Sequence, residues 1–503
     1  MHANIQFFLI FALRLYKIKY DMVCFIIVVA LLLAVNTAVA QVNVERCSFE
    51  ELNCFAVLVG KSATTDGSVL LAHNEDDPDE QMLNIYTVPR NEQRGTNKYI
   101  WIEFPGMSVA DAALNEYGVA VVSDACHSRE DRADVVDGGV VYEVRMTVAK
   151  YARSARHGVE LIKELMEKRG YGDSGRTYII ADSNEGWVCS LVRGHHWVAQ
   201  RVPDDSVMII PNNYTISNVD LSDTANFCGS SDIISYAIER GWYNPAKDGE
   251  FSFKRAYAKP YSLKDDRNYI RHMSALKHLT GKDYSTDTHT YPFAVKANRK
   301  IGITDLIEVL GSHGENIAEK IDYSNEKILH PCCICVDRTV NSSIFQLRGW
   351  LPTEVGSLVW TTGGHPCYEL FVPWYVGMSR SPKGFERFAT AEEAEAKHFS
   401  DAKDMRKNYP QAAAWNFISF WEWIYADYDK RIVPTKQVIG KMQAELLQNQ
   451  AKFESALKGL YDAKTNDIVN REKLEKTLNN YTASWYNRYF KALDKIRKSQ
   501  TQE

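Results

Sequence analysis

A single cysteine opens an apolar run near the amino terminus. Cys54 begins "CFAVLVG" within the stretch "ELNCFAVLVGKSATTDGSVLLAHNEDD" at 51–77. A free thiol has a pKa of about 8.5 and is only partly ionised at neutral pH, so a nucleophilic cysteine needs a group that accepts its proton. A histidine can serve, although spacing marks out no particular one. The histidines available for this role are His73, His127, His195 and His196.

A second proton acceptor would arise if the chain were cut between Asn53 and Cys54. The cysteine would then carry an α-amine with a pKa of about 7.7 to 8, close enough to its own thiol to act as base. The alternative is a buried, inert cysteine at the start of a strand, which position alone favours. Both interpretations stay open on the residues alone.

The first forty residues predict export. Three basic residues precede the apolar run "VCFIIVVALLLAV", and "NTAVA" follows before Gln41. This pattern is typical of a signal peptide over 1–40, with cleavage after Ala40 and a propeptide at 41–53; an uncleaved anchor is the alternative. No other segment approaches about 18 uninterrupted apolar residues, so we expect no stable membrane span after signal removal. The pattern does not distinguish a periplasmic from an extracellular destination.

Composition indicates an ordinary globular protein. The chain has 503 residues, and 45% of them are apolar. Its net charge is −5 and it has no basic run or face, so we do not expect a nucleic-acid-binding protein. Ten cysteines are scattered, and their pairing cannot be deduced from sequence. The cluster "HPCCIC" at 330–335 has no second ligand pair at zinc spacing, so we expect a buried strand with small apolar thiols and no metal.

The hydrophobic patterns predict a sheet, then helices, then a second sheet. Short β-rich runs separated by turn residues occupy 54–125, and three-and-four spacing over 141–169 predicts one amphipathic helix or a pair. Strand patterns return in "RTYIIADS", "GWVCSLVRG", "HWVAQRV" and "SVMIIPN". The region 391–503 reads as helical. We expect it to pack on the main domain, with a partner-binding or coiled-coil arm as the alternative.

The block "NCFAVLVGKSATTDGSVLLAHNEDD" resembles the amino-terminal block of the dipeptidase A/secernin family of N-terminal nucleophile (Ntn) hydrolases. The family pattern places V-G-K, D-G-S and N-E-D after the cysteine. The likeness continues in order through "LNEYGVAVVSDA", "GRTYIIADSNEGWV", "GHHWVAQRVPDDSVMIIPNNYTI", "GWYNP" and "SSIFQLRGWLPTEVGSLVW". It implies an α+β fold, the αββα sandwich of two antiparallel sheets between helical layers, with a catalytic domain at 54–390. It also implies that Cys54 is the nucleophile and that small peptides, chiefly dipeptides, are hydrolysed.

The resemblance implies further roles in catalysis. Asp76 matches an acidic residue that orients the nucleophile's amine, and Asn212 matches an asparagine that donates to the tetrahedral oxyanion, with a slip of one to Asn213 possible in the alignment. His73 departs from the arginine that relatives generally place here. His73 is a candidate for contact with the substrate or the oxyanion. If it acts on the thiolate or the substrate carboxylate, we expect activity to depend on pH where that of the relatives does not, since histidine changes charge near neutral pH.

Two asparagines in the matched blocks are open between functional and structural roles. Asn74 is a candidate for contact with substrate or oxyanion and could equally be structural. Asn115 is a candidate of the same kind, with turn formation in "NEYG" as the alternative.

The predicted enzyme needs no metal and no organic cofactor, and its partners are small peptide substrates. Nucleic acid is not among the predicted partners, and the sequence leaves open whether the chain forms a homo-oligomer. Two alternatives are kept. One is an Ntn amidase acting on a non-peptide amide such as an N-acyl amino acid, and the other is an inactive exported binding protein.

Overall fold

The computed structural model describes residues 54–77, 82–107, 112–283, 291–313, 333–386, 388, 390–400, 404–461 and 468–501. They belong to one compact unit, 52–503. The predicted signal peptide and propeptide lie outside the described residues, as do positions 330–332 of the "HPCCIC" cluster.

Seven strands form the first antiparallel sheet, in the spatial order β12-β10-β1-β2-β13-β14-β15. The central strand β1 is fully buried and carries the predicted nucleophile at its amino end. The strands of this sheet are β1 (Phe55–Val59), β2 (Val69–Asp76), β10 (Ser206–Ile210), β12 (Val295–Lys296), β13 (Thr339–Leu347), β14 (Ser357–Thr362) and β15 (Val372–Tyr375).

Eight strands form the second antiparallel sheet, in the order β11-β9-β8-β7-β6-β5-β4-β3. Mostly short connections join sequence neighbours here, so the sheet is largely a meander. Its strands are β3 (Asn84–Val88), β4 (Tyr99–Glu103), β5 (Ala112–Asn115), β6 (Ala120–Ala125), β7 (Tyr171–Ala181), β8 (Gly186–Gly194), β9 (Trp197–Arg201) and β11 (Phe227–Gly229).

Helices cover the outer faces of both sheets. The helices Glu143–Tyr151 and Ala155–Lys168 pack on the second sheet and form the pair that was one of the two predictions for 141–169. The helices Asp266–Thr280 and Ile303–Leu310 pack on the first sheet. The helices are α1 (Glu143–Tyr151), α2 (Ala155–Lys168), α3 (Ile233–Glu239), α4 (Phe253–Tyr257), α5 (Asp266–Thr280), α6 (Ile303–Leu310), α7 (Thr353–Gly356), α8 (Ala391–Lys397), α9 (Met405–Asn408), α10 (Ala414–Ala426), α11 (Tyr428–Ala456), α12 (Lys458–Tyr461) and α13 (Ile468–Thr501). This layering confirms the predicted αββα sandwich.

Strand alternation divides the core into two layers. On β6, Val122 packs into the core between the sheets, while its neighbour Val121 packs against α1 and α2. On β7, Ile179 and Ile180 divide in the same way. Because successive side chains of a strand point to opposite faces, a strand with helices on one side and a sheet on the other is apolar throughout.

The carboxy-terminal helices pack on the edge of the first sheet. Helix α13 lies against β15, where the Trp374 indole donates to the Tyr486 hydroxyl at 3.0 Å. Arg348, just after β13, makes a buried bidentate ion pair with Glu454 of α11. The helical region is therefore part of the same core. None of the helices in the described part of the chain combines the length and hydropathy that a bilayer crossing requires.

Candidate active site

Strand register brings Cys54 between two candidate partners. Ala56 pairs with His73 on β2 and with Ile210 on β10. Continuing both registers two residues towards the amino end of β1 places Cys54 opposite Glu75 on one side and Asn212 on the other. The thiol does point to Glu75, with Sγ 3.1 Å from Oε1, and both side chains are buried.

Burial governs the protonation of this pair. Desolvation, followed by the nearby charge of Glu75, raises the pKa of the Cys54 thiol well above its ordinary value. Desolvation raises the pKa of Glu75 from 4.5 to about 8, although Arg176 and the thiol hydrogen bond act in the opposite direction. Cys54 is therefore held as a thiol beside a carboxyl group whose pKa suits proton transfer near neutral pH.

His73 lies on the face of β2 that it shares with Glu75. Its Nε2 donates to the Ser123 carbonyl oxygen at 3.2 Å and lies 3.9 Å from carboxylate oxygens of both Glu75 and Asp124. Desolvation, then the charge of Arg176, lowers the pKa of His73 to about 3. The histidine stays neutral at physiological pH, so the pH dependence expected from its titration is not supported.

Two arginines supply the cations that His73 does not. Arg145 of α1 and Arg176 of β7 both donate to the Ser123 hydroxyl, at 2.6 and 3.1 Å. Arg176 also donates to the Ser123 carbonyl oxygen at 3.2 Å. A fixed positive charge thus lies beside the carboxylates, where burial would otherwise neutralise them.

Asp124 of β6 is a buried carboxyl group whose oxygens find no hydrogen-bond partner among the described residues. Desolvation and then the charge of Glu75 raise its pKa well above the ordinary value. Such a group is suited to receive a positively charged hydrogen-bond donor.

Arg271 of α5 joins the nucleophile residue to Asn212. Its guanidinium donates to the Cys54 carbonyl oxygen, and its Nη1 donates to Asn212 Oδ1 at 3.2 Å. It also lies over the Phe55 ring, 5.3 Å from the centroid. This contact spans 217 residues of sequence and fixes the start of β1 against the outer helix.

Asn212 adopts a left-handed backbone conformation with φ of 65°. Asparagine tolerates this region better than most residues, because its side chain can hydrogen-bond locally. Its Nδ2 donates to the Ala125 carbonyl oxygen at 3.2 Å, which leaves the second amide hydrogen for another acceptor. The neighbouring Asn213 instead accepts from Asn268 at 3.1 Å.

Asp76 occupies the opposite face of β2 from Glu75. Its Oδ1 accepts from the Thr339 hydroxyl at 2.6 Å, and its Oδ2 is buried without a partner among the described residues. Desolvation raises the pKa of Asp76 from 3.8 to about 7, while the Thr339 hydrogen bond lowers it. No direct hydrogen bond between Asp76 and the Cys54 side chain is present in the described part of the chain.

Asn74 and Asn115 make structural contacts. The Asn74 amide donates to the Leu310 and Ile334 carbonyl oxygens at 2.9 and 3.0 Å, on the outer face of the sheet. The Asn115 amide donates to the Ala152 carbonyl oxygen at 2.8 Å, and its oxygen accepts from two backbone N–H groups of the β5–β6 turn. Both side chains therefore have the structural contacts that the alternative interpretation predicted.

Sequence reasoning missed Glu75, Asp124 and Arg271. The first stands next to Asp76 in "HNED", and period-2 alternation along the strand could have separated the two faces. Asp124 ends a matched block, "VVSDA". Arg271 carries no local signal, because only the tertiary fold brings α5 over β1.

Two groups of side chains have donor types and spacing suited to a metal ion. One is Cys54, His73 and Glu75 at the centre described above. The other, His313, Cys335 and Cys367, lies on the outer side of the first sheet.

The arrangement is suited to acyl transfer. It places a thiol against a proton acceptor, with guanidinium and amide donors around the residue that carries the thiol. The αββα sandwich with this centre at the start of a central strand is the fold of the Ntn hydrolases.

Comparison with known proteins identifies the family. The model of Peptidase family C69 matches residues 107–405, more than half of the chain, and the chain belongs to this family of peptide hydrolases. "Probable dipeptidase" of Salmonella dublin is 26% identical over 364 residues, covering 66% of this chain and 83% of that protein. "Dipeptidase A" of Lactobacillus helveticus is 25% identical over 378 residues, covering 67% and 78%. These relatives confirm the resemblance drawn from the motifs.

Among solved structures, penicillin V acylase from Agrobacterium tumefaciens is similar with a TM-score of 0.32 and 10% identity. The similarity covers 64% of this chain and 85% of that chain.

Proposed function

We propose that the chain is an exported dipeptidase whose nucleophile is Cys54, exposed as an amino-terminal residue by self-cleavage after Asn53. The observation that carries the proposal is the 3.1 Å contact of the Cys54 thiol with Glu75, at the point where Arg271 holds the Cys54 carbonyl. Membership of a peptidase family and relatives named dipeptidase support the substrate class.

Self-cleavage needs a base other than the α-amine, since that nitrogen is still part of the Asn53–Cys54 peptide bond. Glu75 accepts the thiol proton, and Sγ attacks the Asn53 carbonyl carbon. The carbon–sulfur bond forms, the carbon–nitrogen bond breaks, and the nitrogen takes up the proton. Water then hydrolyses the thioester, which releases the propeptide and leaves a free amine on Cys54.

The mature enzyme repeats this chemistry on its substrate. The Cys54 amine takes the thiol proton, the thiolate attacks the scissile carbonyl, and the same amine protonates the leaving group as the carbon–nitrogen bond breaks. Water then hydrolyses the thioester on Cys54, which releases the acid product and restores the thiol. Asp76, with its buried and unpartnered Oδ2, orients the amine. Asn212 and a backbone N–H donate to the oxyanion. Removal of one such donor costs on the order of 100-fold in rate.

Asp124 accounts for a preference for short peptides with a free amino terminus. Its two buried oxygens are unpartnered in the described part of the chain, and it faces the same space as the thiol and Glu75. An incoming ammonium group would pair with this carboxylate and favour its ionised form. An N-acylated substrate offers no charge there, so the amidase alternative is disfavoured by the same carboxylate.

The deciding experiment is intact mass and amino-terminal sequencing of the purified protein, together with a panel of dipeptides and matched N-acyl amino acids. We expect a chain that begins at Cys54 and hydrolyses dipeptides. A chain that begins at Gln41 and is fully active would overturn the N-terminal mechanism. Faster hydrolysis of the N-acyl compounds would assign the amidase function, and an uncleaved chain inactive on both would indicate a binding protein.

Recovery of the protein outside the cytoplasm in a fractionated host tests the export predicted from residues 1–40.

A further inference from the structure

A second cluster of thiols and imidazoles lies away from the Cys54 centre. The Sγ atoms of Cys335 and Cys367 and a ring nitrogen of His313 all lie within 4.8 Å of one another. Cys335 is fully buried, and the other two are half-buried. Donor atoms bound about 2.1 to 2.3 Å from one tetrahedral zinc ion are separated by roughly 3.4 to 3.8 Å, so small side-chain movements would complete such a site.

The three side chains come from separate parts of the chain. His313 follows α6, Cys335 precedes β13, and Cys367 lies between β14 and β15. The Cys367 sulfur lies within 4.8 Å of both the Cys335 sulfur and a His313 ring nitrogen. Cys335, the last residue of the sequence cluster, therefore meets the other two candidate ligands by tertiary contact, which is why spacing along the chain did not reveal them.

The backbone holds these segments together independently of any ion. The Ser312 carbonyl oxygen accepts from the N–H groups of Ile334 and Cys335, at 3.1 and 3.0 Å. Gly311 packs so closely that a Cβ there would lie 3.0 Å from the Cys367 Cα. Pre-organisation of this kind lowers the ordering cost of binding.

A further imidazole lies beside the cluster. His365 is buried, and it lies close enough to Cys367 and His313 for their charges to affect its pKa. Its Nδ1 has no hydrogen-bond partner among the described residues. A buried imidazole nitrogen without a partner is costly unless it binds an ion, a water or another polar group.

We propose that His313, Cys335 and Cys367 bind one zinc-like divalent cation, with water in the fourth position. The ion would join the ends of α6 and the β14–β15 connection to the segment before β13. Asn74 connects this site to β2, because its amide donates to the Leu310 and Ile334 carbonyl oxygens and Glu75 is the next residue along that strand. The ion would take no part in the chemistry at Cys54, because the Cys54 thiol lies on the other face of the first sheet.

The test is metal content of the full chain purified with added zinc, measured by elemental mass spectrometry. We expect about one zinc per chain in the wild type. Cys367→Ser and His313→Ala should bind zinc at least on the order of 10-fold more weakly, because removing even a residue that only hydrogen-bonds a ligand typically weakens binding by that much. Cys228→Ser, a half-buried cysteine on β11, is the matched control and should keep its zinc. If Cys335→Ser fails to fold, the two half-buried ligands still decide the question.

Two further measurements distinguish the outcomes. Cobalt substitution should give thiolate-to-metal absorption that disappears in Cys367→Ser, and a chelator should lower the melting temperature of the wild type but not of that variant. Zinc content at background, or equal in Cys367→Ser and Cys228→Ser, would overturn the proposal. A disulfide between Cys335 and Cys367, detected by peptide mass mapping of the unreduced protein, would overturn it as well.

Discussion

At the scale of single residues, the surroundings of Cys54 keep its side chain protonated, so the thiol must lose its proton before it can attack a carbonyl. The thiol is fully buried and its pKa is raised by desolvation, so chemistry depends on the acceptor it contacts. In the mechanism that we propose, that acceptor is Glu75 in the uncleaved chain and the α-amine after cleavage. The two steps should therefore respond differently to the same substitution.

Replacement of the nucleophile is the first prediction. Cys54→Ala should abolish both propeptide release and dipeptide hydrolysis, lowering the turnover rate by on the order of 1,000-fold or more, because no other group supplies the covalent step. Turnover and intact mass measure the two effects. Cys228→Ser, at the far edge of the second sheet, should leave both unchanged; a similar loss there would mean that the assays report thiol damage in general.

Replacement of Glu75 is the second prediction. Glu75→Gln should slow self-cleavage by on the order of 100-fold or more, because the amide cannot accept the thiol proton. In the wild type, cleavage should accelerate as the pH rises through about 8, where Glu75 becomes ionised. The rate is measured as the appearance of the mature mass during incubation of a freshly refolded precursor.

A chain produced with Cys54 directly after the initiator methionine separates the two roles of Glu75. Once that methionine is removed, the amine is present without self-cleavage, and Glu75→Gln should recover most dipeptide hydrolysis. Failure of this recovery would place Glu75 in turnover itself.

At the scale of elements, strand β2 places polar side chains on both faces of the first sheet. His73 and Glu75 face the space between the sheets, and Asn74 and Asp76 face the helical layer. A shift of register by one residue would exchange these sets. The paired strands β1 and β13 prevent this shift, with Phe55 opposite Asn74 and Ser343 opposite His73.

The ion pair between Arg348 and Glu454 carries the third prediction. Both side chains are buried, and Glu454 also accepts from Tyr375 and Gln450 at 3.0 Å. Glu454→Gln leaves a buried guanidinium without its counter-charge, so the free energy of unfolding should fall by about 3 kcal/mol. Glu445→Gln, which removes the exposed pair with Arg488, should cost less than about 1 kcal/mol. Urea denaturation of both variants measures the difference; equal losses would show that the carboxy-terminal helices do not depend on the buried pair.

At the scale of the whole molecule, the enclosed carboxyl groups link stability to pH. Folding raises the pKa of Glu75 to about 8 and that of Asp76 to about 7. A carboxyl group with a raised pKa in the folded state contributes stability that is fully present below its unfolded pKa and is lost as the pH rises through the folded pKa. The contribution should therefore decline between about pH 4 and about pH 8.

The fourth prediction isolates this effect in chains that cannot self-cleave. The two chains compared are the single variant Cys54→Ala and the double variant Cys54→Ala with Glu75→Gln. As the pH rises from about 5 to about 9, the free energy of unfolding should fall more in the single variant, because only that chain has a Glu75 carboxyl group to ionise. The hydrogen bond from the Cys54 thiol lowers the pKa of Glu75, so its loss in Cys54→Ala raises that pKa further. The expected direction of the stability change is therefore the same. Melting temperatures across this range measure the difference, and parallel curves for the two chains would contradict the assignment of Glu75.

The sequence by itself determined the family and the sandwich, and it singled out Cys54 as the candidate nucleophile. Strand and helix periodicities are local, and the motif blocks around Cys54 and Asn212 carry their pattern in a few adjacent residues. The same local signals indicated that 141–169 is helical and that 391–503 would pack as helices. Alternation then assigns the side chains of each strand to one face or the other, whereas the position of Cys54 between β2 and β10 depends on how the strands pair.

Only the tertiary structure decided which charged groups surround the thiol. Arg271 reaches Cys54 across 217 residues, and no periodicity encodes that contact. The neutral state of His73 follows from its burial beside Arg176, a property of its surroundings that the residue type does not reveal. The grouping of His313 with Cys335 and Cys367 has the same origin. Protonation and ligand geometry depend on distances between segments far apart in the chain, and those distances exist only after the sheets and helices have packed.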